Sequence, residues 1–269
     1  MHIDGHHKLI RWKIVIHAGI DGYSRYAEFD LTIHRFITFL KANTNNRSDT
    51  VLSAFLESVD LYGLPSRVRG DFGVENYGIC QYMEAARGSG RGSYIAGRSV
   101  HNQRIERLWK DLFERQLLYF YNLFWDLEQQ GFLDVESDGD LTILQAVFLP
   151  ILDAQLQRFR ETWNSHSSRI MKSSPLRAFS PVIISKYLSS EYVPMDDESH
   201  YRAIPEADSL TLTMARSRNN VVVDVDETMV DLVALSQCLR ALNVSNRLDD
   251  DTLNQYKAVR AFLKSHNKA

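Results

Sequence analysis

One helix and the strand that follows it constrain the fold of this chain more than any other feature. Residues 49–62 carry apolar side chains at helical spacing, namely Val51, Leu52, Phe55, Leu56 and Val59. Gly63 ends the helix, and Pro65 prevents its continuation. Residues 66–70 then predict a short buried strand that leads directly to Asp71. A helix that crosses over to a strand in this way favours a mixed α/β sheet.

The first 41 residues have the alternating pattern of antiparallel strands. Apolar and other residues alternate along Trp12, Lys13, Ile14, Val15, Ile16 and His17, and Gly22 makes a turn. We therefore predict three antiparallel strands, with Asp4 on the first. The third strand can come from residues 23–33 or from residues 36–41.

Two helical patterns follow the predicted sheet. The first runs from about residue 102 to Gly131 and predicts the longest helix of the chain. The second covers residues 141–164 and is interrupted or restarted at Pro150. Residues 87–99 are rich in glycine and serine and predict a flexible loop, without the Gly-Lys-Ser/Thr ending of a phosphate-binding loop. The two helices are expected to sandwich the sheet.

Three acidic residues occupy defined places in these predicted elements. Asp4 lies on the first strand, Asp71 ends the crossover strand, and Glu106 lies one turn into the long helix. Carboxylates from two strands and a helix can converge and hold divalent metal, because Mg²⁺ takes hard oxygen ligands and keeps positions for water and phosphate. Two such ions about 3.5–4 Å apart can stabilise both oxygens of an in-line phosphoryl transfer.

The blocks around these acids resemble the catalytic core of retroviral-type integrases and related transposases, a family derived from transposable elements. The resembling blocks, in chain order, are Ile3-Asp4-Gly5, Gly19-Ile20-Asp21-Gly22-Tyr23-Ser24-Arg25, Tyr62-Gly63-Leu64-Pro65, Asp71-Phe72-Gly73-Val74-Glu75-Asn76, His101-Asn102-Gln103-Arg104-Ile105-Glu106-Arg107, Trp163-Asn164-Ser165-His166 and Ser174-Pro175. The resemblance implies an RNase H-like α/β fold, with a mixed sheet flanked by helices, as the catalytic core over residues 1–179. Residues 180–269 would be a small α+β appendage of unknown role.

The resemblance also implies a chemistry. Asp4, Asp71 and Glu106 would be the catalytic DDE triad and the ligands of two Mg²⁺ or Mn²⁺ ions. The reaction would be cleavage and transfer of a DNA strand during DNA integration, by a polynucleotidyl transferase and endonuclease that forms no covalent enzyme intermediate. The triad by itself does not distinguish a DNA substrate from RNA.

Two departures from the family support an alternative. Only three residues precede Asp4, so half of the first strand would be missing if Asp4 lies at its centre. The family runs almost directly from Ser24-Arg25 into the third strand, which makes residues 26–35 an insertion or a gene-model artefact. No flanking module that recognises DNA ends is evident. The alternative is a domesticated or degenerate integrase-like protein that binds nucleic acid or a protein partner without catalysis.

DNA is the expected partner, although the net charge of the chain is only −3. Nucleic-acid affinity depends on local charge more than on the total. The predicted DNA-binding residues are Arg87, Arg91, Arg98, Asn102, Arg104, Arg107 and Lys110, and Asn102 has the alternative role of helix N-cap. One phosphate contact from each basic residue would give a log–log salt slope of roughly −5.

Other patterns concern assembly and location. Cys80 and Cys238 do not form a disulfide framework and suggest a reducing compartment. No apolar run approaches the ~20 residues of a membrane span, so no membrane contact is expected. The aromatic run over residues 119–125 predicts either core packing or a helix-mediated interface. The second alternative would make the protein a homo-oligomer. We expect a nuclear protein if the source is eukaryotic and an intracellular one otherwise, although no import signal is visible.

Overall fold

A five-stranded mixed sheet forms the centre of the protein. The computed structural model describes residues 1–22, 36–88, 90–97, 103–167, 174–179, 230–242, 248 and 251–266. The strands are β1 (His2–His6), β2 (Val15–Ile20), β3 (Ile37–Asn43), β4 (Val68–Gly70) and β5 (Tyr94–Ala96), in the spatial order β3-β2-β1-β4-β5. Strands β1, β2 and β3 pair antiparallel, whereas β4 pairs parallel with both β1 and β5. The predicted mixed α/β sheet is therefore confirmed.

Eight described helices surround this sheet. They are α1 (Ser48–Tyr62), α2 (Tyr77–Arg87), α3 (Gln103–Leu112), α4 (Leu118–Gln129), α5 (Asp138–Ser165), α6 (Pro175–Ala178), α7 (Leu232–Ala241) and α8 (Thr252–His266). A π-helical turn, Phe113–Leu117, joins α3 to α4, and 3₁₀ turns cover Ile10–Trp12 and Val74–Asn76. Trp12 thus lies in a turn and not in the predicted strand.

Helix α5 is the longest helix and runs through Pro150 without a break. The predicted interruption is therefore wrong, as is the prediction that the helix ending near Gly131 is the longest. Pro150 removes one backbone hydrogen bond, but buried side chains on both sides of it, such as Val147 and Ile151, anchor the helix in the core. Among the described helices, only α5 is long and apolar enough to cross a bilayer, a test that a buried core helix also passes.

Each face of the sheet has its own apolar core. One face packs against α3, α4 and α5 through side chains such as Ile16, Ala18 and Leu40. The opposite face packs against α1 and α2 and buries Ile3 and Phe39. Strand β3 contributes to both cores, because successive side chains of a strand point to opposite faces. Its register with β2 shifts between Gly19 and Ile20. Helices on both faces of a mixed sheet are consistent with an RNase H-like integrase core.

The structure decides which segment supplies the third strand. Strand β3 comes from the second of the two predicted candidates, residues 36–41, and extends to Asn43. The other candidate, residues 23–33, and the extra residues 26–35 lie outside the described residues. The predicted loop over residues 87–99 is partly wrong, because Tyr94–Ala96 pairs with β4 as an edge strand.

Strand β1 extends two residues on each side of Asp4. It pairs with β2 along its whole length, from His2 opposite Ile20 to His6 opposite Ile16. Met1 extends the contact with the other neighbour, since its ammonium group donates to the Arg67 carbonyl at 2.9 Å and its carbonyl accepts from the Arg69 N–H at 2.8 Å. Strand β1 is therefore paired with both neighbours from its first residue, and the half-missing strand stays a prediction.

The described carboxyl-terminal helices share the core of the rest of the protein. Tyr256 on α8 is fully buried, and its hydroxyl donates to the Phe132 carbonyl at 3.0 Å. Arg260 binds the buried Asp140 carboxylate at 2.6 Å. The domain boundary at residue 179 stays a prediction.

We expect Asn164→Ala to destabilise the edge of the sheet. The buried Asn164 amide accepts from the Ile37 N–H at 2.8 Å and donates to the Ile37 carbonyl at 3.0 Å. Truncation leaves both backbone groups buried without partners, so the free energy of unfolding should fall by about 2–4 kcal/mol in a urea titration. Asn122→Ala, on an exposed position of α4, should change it by less than ~0.5 kcal/mol. Equal losses in the two variants would contradict this role.

Candidate active site

Asp4 lies on the central strand β1, and Asp71 directly follows the neighbouring strand β4. His2 of β1 pairs in parallel register with Arg69 of β4. Asp4 and Asp71 are each two residues further along, and the pleat therefore gives both side chains the same face of the sheet. Gly70, which precedes Asp71, leaves room for the Tyr94 side chain of β5, because a Cβ there would collide with the Tyr94 hydroxyl.

Helix α3 brings Glu106 to the same place. Trp109, three residues later on this helix, donates its indole N–H to Asp4 Oδ2 at 2.9 Å. The pKa of Asp4 is raised to about 6, mainly by burial and further by the negative charges of Asp71 and Glu106, while the Trp109 hydrogen bond opposes the rise. The three acids predicted from the sequence are therefore close enough to interact electrostatically.

A tight turn fixes the Asp71 carboxylate. Its Oδ1 accepts from the Gly73 N–H at 3.1 Å and from the Asn76 side-chain amide at 2.8 Å. The Asp71 carbonyl accepts from the Tyr94 hydroxyl at 3.3 Å. The block after Asp71 thus orients one acid of the candidate site.

Glu75 is a fourth acid of this site, and sequence analysis missed it. Its side chain is only 7 % exposed, and its carboxyl group occupies the space that a Cβ on Gly73 would need. Burial raises the pKa of Glu75 to about 7, with further contributions from the charges of Asp71 and Asp4. Glu75 lay within the resembling block, but its burial depends on tertiary packing that the sequence pattern does not reveal.

Histidines near these acids are uncharged at neutral pH. Burial lowers the pKa of His6 to about 4 and the pKa of His17 to about 4. His17 lies between two amide side chains, with Nε2 2.7 Å from Asn46 Oδ1 and Nδ1 3.0 Å from Asn43 Nδ2. These neutral rings do not compensate the negative charge of the acids, and a bound cation would.

The chemistry of the donors fits a hard divalent cation. Asp4, Asp71 and Glu106 offer the carboxylate oxygens that Mg²⁺ prefers. Their mutual repulsion, which adds to the effect of burial on the pKa of Asp4, would be relieved by a cation. Within the described part of the chain, however, no group of three or more His, Cys, Asp or Glu side chains is close enough to hold one ion.

The predicted DNA-binding residues differ in what the structure says of them. Arg87 donates to the Leu64 and Pro65 carbonyls, and Arg91 to the Ser66 hydroxyl at 3.4 Å. Arg107 pairs with Asp111 at 3.2 Å, and Lys110 is exposed on the same helix. The side chains of Arg98, Asn102 and Arg104 lie outside the described residues.

A comparison with protein families gives a match over most of the chain. A family model described as "Integrase core domain" matches residues 1–191, more than half of the chain. This chain belongs to the integrase core domain family. Searches of curated proteins and of solved structures gave no match. Integrase core domains generally use divalent metals and bind DNA. In this integrase core, the acids that the family resemblance selects lie on β1, directly after β4 and on α3.

We expect Asp4→Asn to stabilise this integrase core at alkaline pH. The pKa of Asp4 rises from 3.8 to about 6 on folding, so its ionisation weakens the fold above about pH 6 by up to ~3 kcal/mol. The gain in the free energy of unfolding of the variant should shrink as the pH falls from 6 to 4. It should vanish at a pH where Asp4 of the wild type is protonated in both the folded and the unfolded state. Urea titrations with a chelator at several pH values measure it.

The control for this prediction is Asp126→Asn, which removes an exposed carboxylate from α4. We expect its stability to follow the wild type within ~0.5 kcal/mol at every pH. An Asp4→Asn protein that is no more stable than the wild type at pH 8 would contradict the destabilising effect assigned to the ionisation of Asp4.

Proposed function

We propose that this integrase core catalyses metal-dependent cleavage of a DNA strand and transfer of the cleaved end to another strand. The observation that carries the proposal is the electrostatic coupling of Asp4 to both Asp71 and Glu106. These acids come from β1, from the turn after β4 and from α3, and carboxylates that raise the pKa of one another are typical of sites that act on or through a cation.

Asp4, Asp71 and Glu106 would hold two Mg²⁺ or Mn²⁺ ions. Bound there, the ions supply charge stabilisation for a phosphoryl group and lower the pKa of a bound water or hydroxyl. The chain itself supplies orientation. The Gly73 N–H and the Asn76 amide hold the Asp71 carboxylate. Glu75, with a pKa of about 7, can carry a proton beside these acids at neutral pH.

DNA contacts are proposed for the basic residues around Glu106. Arg107 and Lys110 are exposed on the helix that carries Glu106, so a phosphate backbone near the acids can reach them. Arg91 is exposed in the segment before the edge strand Tyr94–Ala96. Arg87 uses its guanidinium mainly to fix the Leu64 and Pro65 carbonyls, which supports a smaller share of the phosphate contacts for it.

We expect Asp71→Asn and Glu106→Gln to abolish strand joining. Each change removes a charged metal ligand from the proposed site, so the rate should fall on the order of 10²–10³-fold or more. A strand-cleavage and strand-joining assay with labelled DNA ends and Mg²⁺ measures the rate. Glu114→Gln, on an exposed position of the turn after α3, is the matched control and should keep the wild-type rate. Full activity of Glu106→Gln would refute the assignment of the triad.

A second candidate is an integrase-like protein that binds nucleic acid or a protein partner without catalysis. One observation favours it: the described residues contain no trio of ligands close enough for one ion. Calorimetric titration with Mn²⁺ separates the candidates. Catalysis requires saturable binding of Mn²⁺, and Asp4→Asn, Asp71→Asn and Glu106→Gln should each weaken that binding. The non-catalytic protein would instead bind DNA equally well with and without the metal.

We expect Lys110→Glu and Arg91→Glu each to weaken DNA binding and to reduce the salt slope by about 1. A phosphate contact releases counterions on binding, and the loss of one contact removes one such term from the slope. Fluorescence anisotropy over a series of salt concentrations measures both effects. Arg158→Glu, on an exposed position of α5, makes the same charge change and should leave the slope unaltered if the contacts lie near Glu106.

A further inference from the structure

Lys8 is an exposed cation near the candidate site that neither the sequence pattern nor the family resemblance selected. It lies in the turn after β1, four residues beyond Asp4. Its ammonium group lies 6.0 Å from the centroid of the Phe113 ring, at the start of the π-helical turn that follows α3. Among the described residues, no carboxylate forms an ion pair with Lys8. The charge of this side chain can therefore be used for an external anion.

The other cations of the same turn already have carboxylate partners. Arg11 binds the Glu128 carboxylate at 2.7 Å, and Lys13 binds Asp138 at 3.1 Å. These ion pairs connect the turn to α4 and to α5. Arg11 and Lys13 thus have a structural role, whereas packing within the chain does not explain the charge of Lys8.

A row of contacts connects Lys8 to Asp4. Trp109 donates to the Asp4 carboxylate at 2.9 Å, and the His6 ring packs against the Trp109 indole with ring centroids 5.0 Å apart. The His6 ring also contacts Phe113, with centroids 6.3 Å apart, and Lys8 lies over the Phe113 ring. A strand rises about 3.3 Å per residue and a helix about 5.4 Å per turn, so the row from Asp4 to Lys8 is roughly 10–13 Å long.

We propose that Lys8 binds a backbone phosphate of the DNA strand that the acids act on. The inference rests on the proposed function, because it assigns the DNA to that same site, but it requires no metal ion. Successive phosphates of one strand are about 3.4 Å apart along the axis of a duplex, so a row of this length places Lys8 a few nucleotides from the strand at Asp4. Lys110 is exposed on α3, so the two lysines would approach the backbone from different elements.

The chemistry of Lys8 favours a phosphate over a base. An ammonium group is a compact charge with three donors and no acceptor, and contacts to phosphates carry no sequence information. The Phe113 ring also attracts the ammonium group electrostatically, which restricts the side chain before DNA binds and reduces the entropy lost on binding. We therefore expect Lys8 to increase the affinity for all DNA sequences to a similar extent.

The test measures binding of labelled DNA to the full chain by fluorescence anisotropy, with a chelator and over a series of salt concentrations. Lys8→Gln removes the charge, so the log–log salt slope should become shallower by about 1 and binding at low salt should weaken roughly 3–10-fold. Lys8→Arg keeps the charge and should keep the wild-type slope. Lys257→Gln is the matched control, because Lys257 lies 4.1 Å from the Phe132 ring centroid on α8. It should leave the slope unaltered.

The outcomes separate the two proposals. A wild type that binds no DNA would overturn the proposed function and this inference together. A wild type that binds DNA, with the same salt slope in Lys8→Gln, would overturn the inference alone. Equal losses in Lys8→Gln and Lys257→Gln would overturn it too, because the effect would then come from the total charge of the chain. A slope that depends on Lys8 in a protein that joins no DNA strands would support the inference and overturn the proposed catalysis.

Discussion

The parallel pairing of β1 with β4 is the constraint on which the site depends. The register of His2 with Arg69 sets Asp4 beside Asp71, and a slip by one residue would move Asp4 to the opposite face. Ile3 opposes such a slip, since it is buried in the core formed with α1 and α2. The hydrogen bonds of Met1 to Arg67 and Arg69 oppose it as well. Packing on one face of β1 therefore determines the chemistry on the other.

The buried acids of the site destabilise the fold, and the apolar packing of the two cores must offset this effect. Asp4 and Glu75 are buried acids with raised pKa values near 6 and 7, so at neutral pH they favour the unfolded state, in which they ionise freely. Hydrogen bonds from Trp109 to Asp4 and from Asn46 to Glu75 reduce this destabilisation without removing it. A folded chain that keeps such acids together is typical of functional sites, where stability is given up for charge placement.

The sequence predicted those parts of the fold whose pattern is local. Residues 49–62 and the strand before Asp71 follow from helical spacing and from the stop at Gly63. The edge strand Tyr94–Ala96 was missed because three residues between glycines carry no usable period. The triad came from family resemblance, whereas Glu75 and Trp109 could not be predicted, because their roles depend on burial and on contacts between distant elements. Pro150 was misjudged because tertiary packing overrides its local effect.

Helix α3 must serve the core and the site at once, and the turn that follows it makes this possible. Ile105, Leu108 and Leu112 face the core, while Glu106 lies on the exposed flank and Trp109 at the boundary. The next fully buried residue is Leu117, five positions after Leu112, and the π-helical turn Phe113–Leu117 absorbs the additional residue. In a regular helix one extra residue would rotate the apolar stripe by about 100°. The π turn instead keeps Phe120, Phe124 and Leu127 of α4 in the core, so that α3 can keep the orientation that places Glu106 near Asp4.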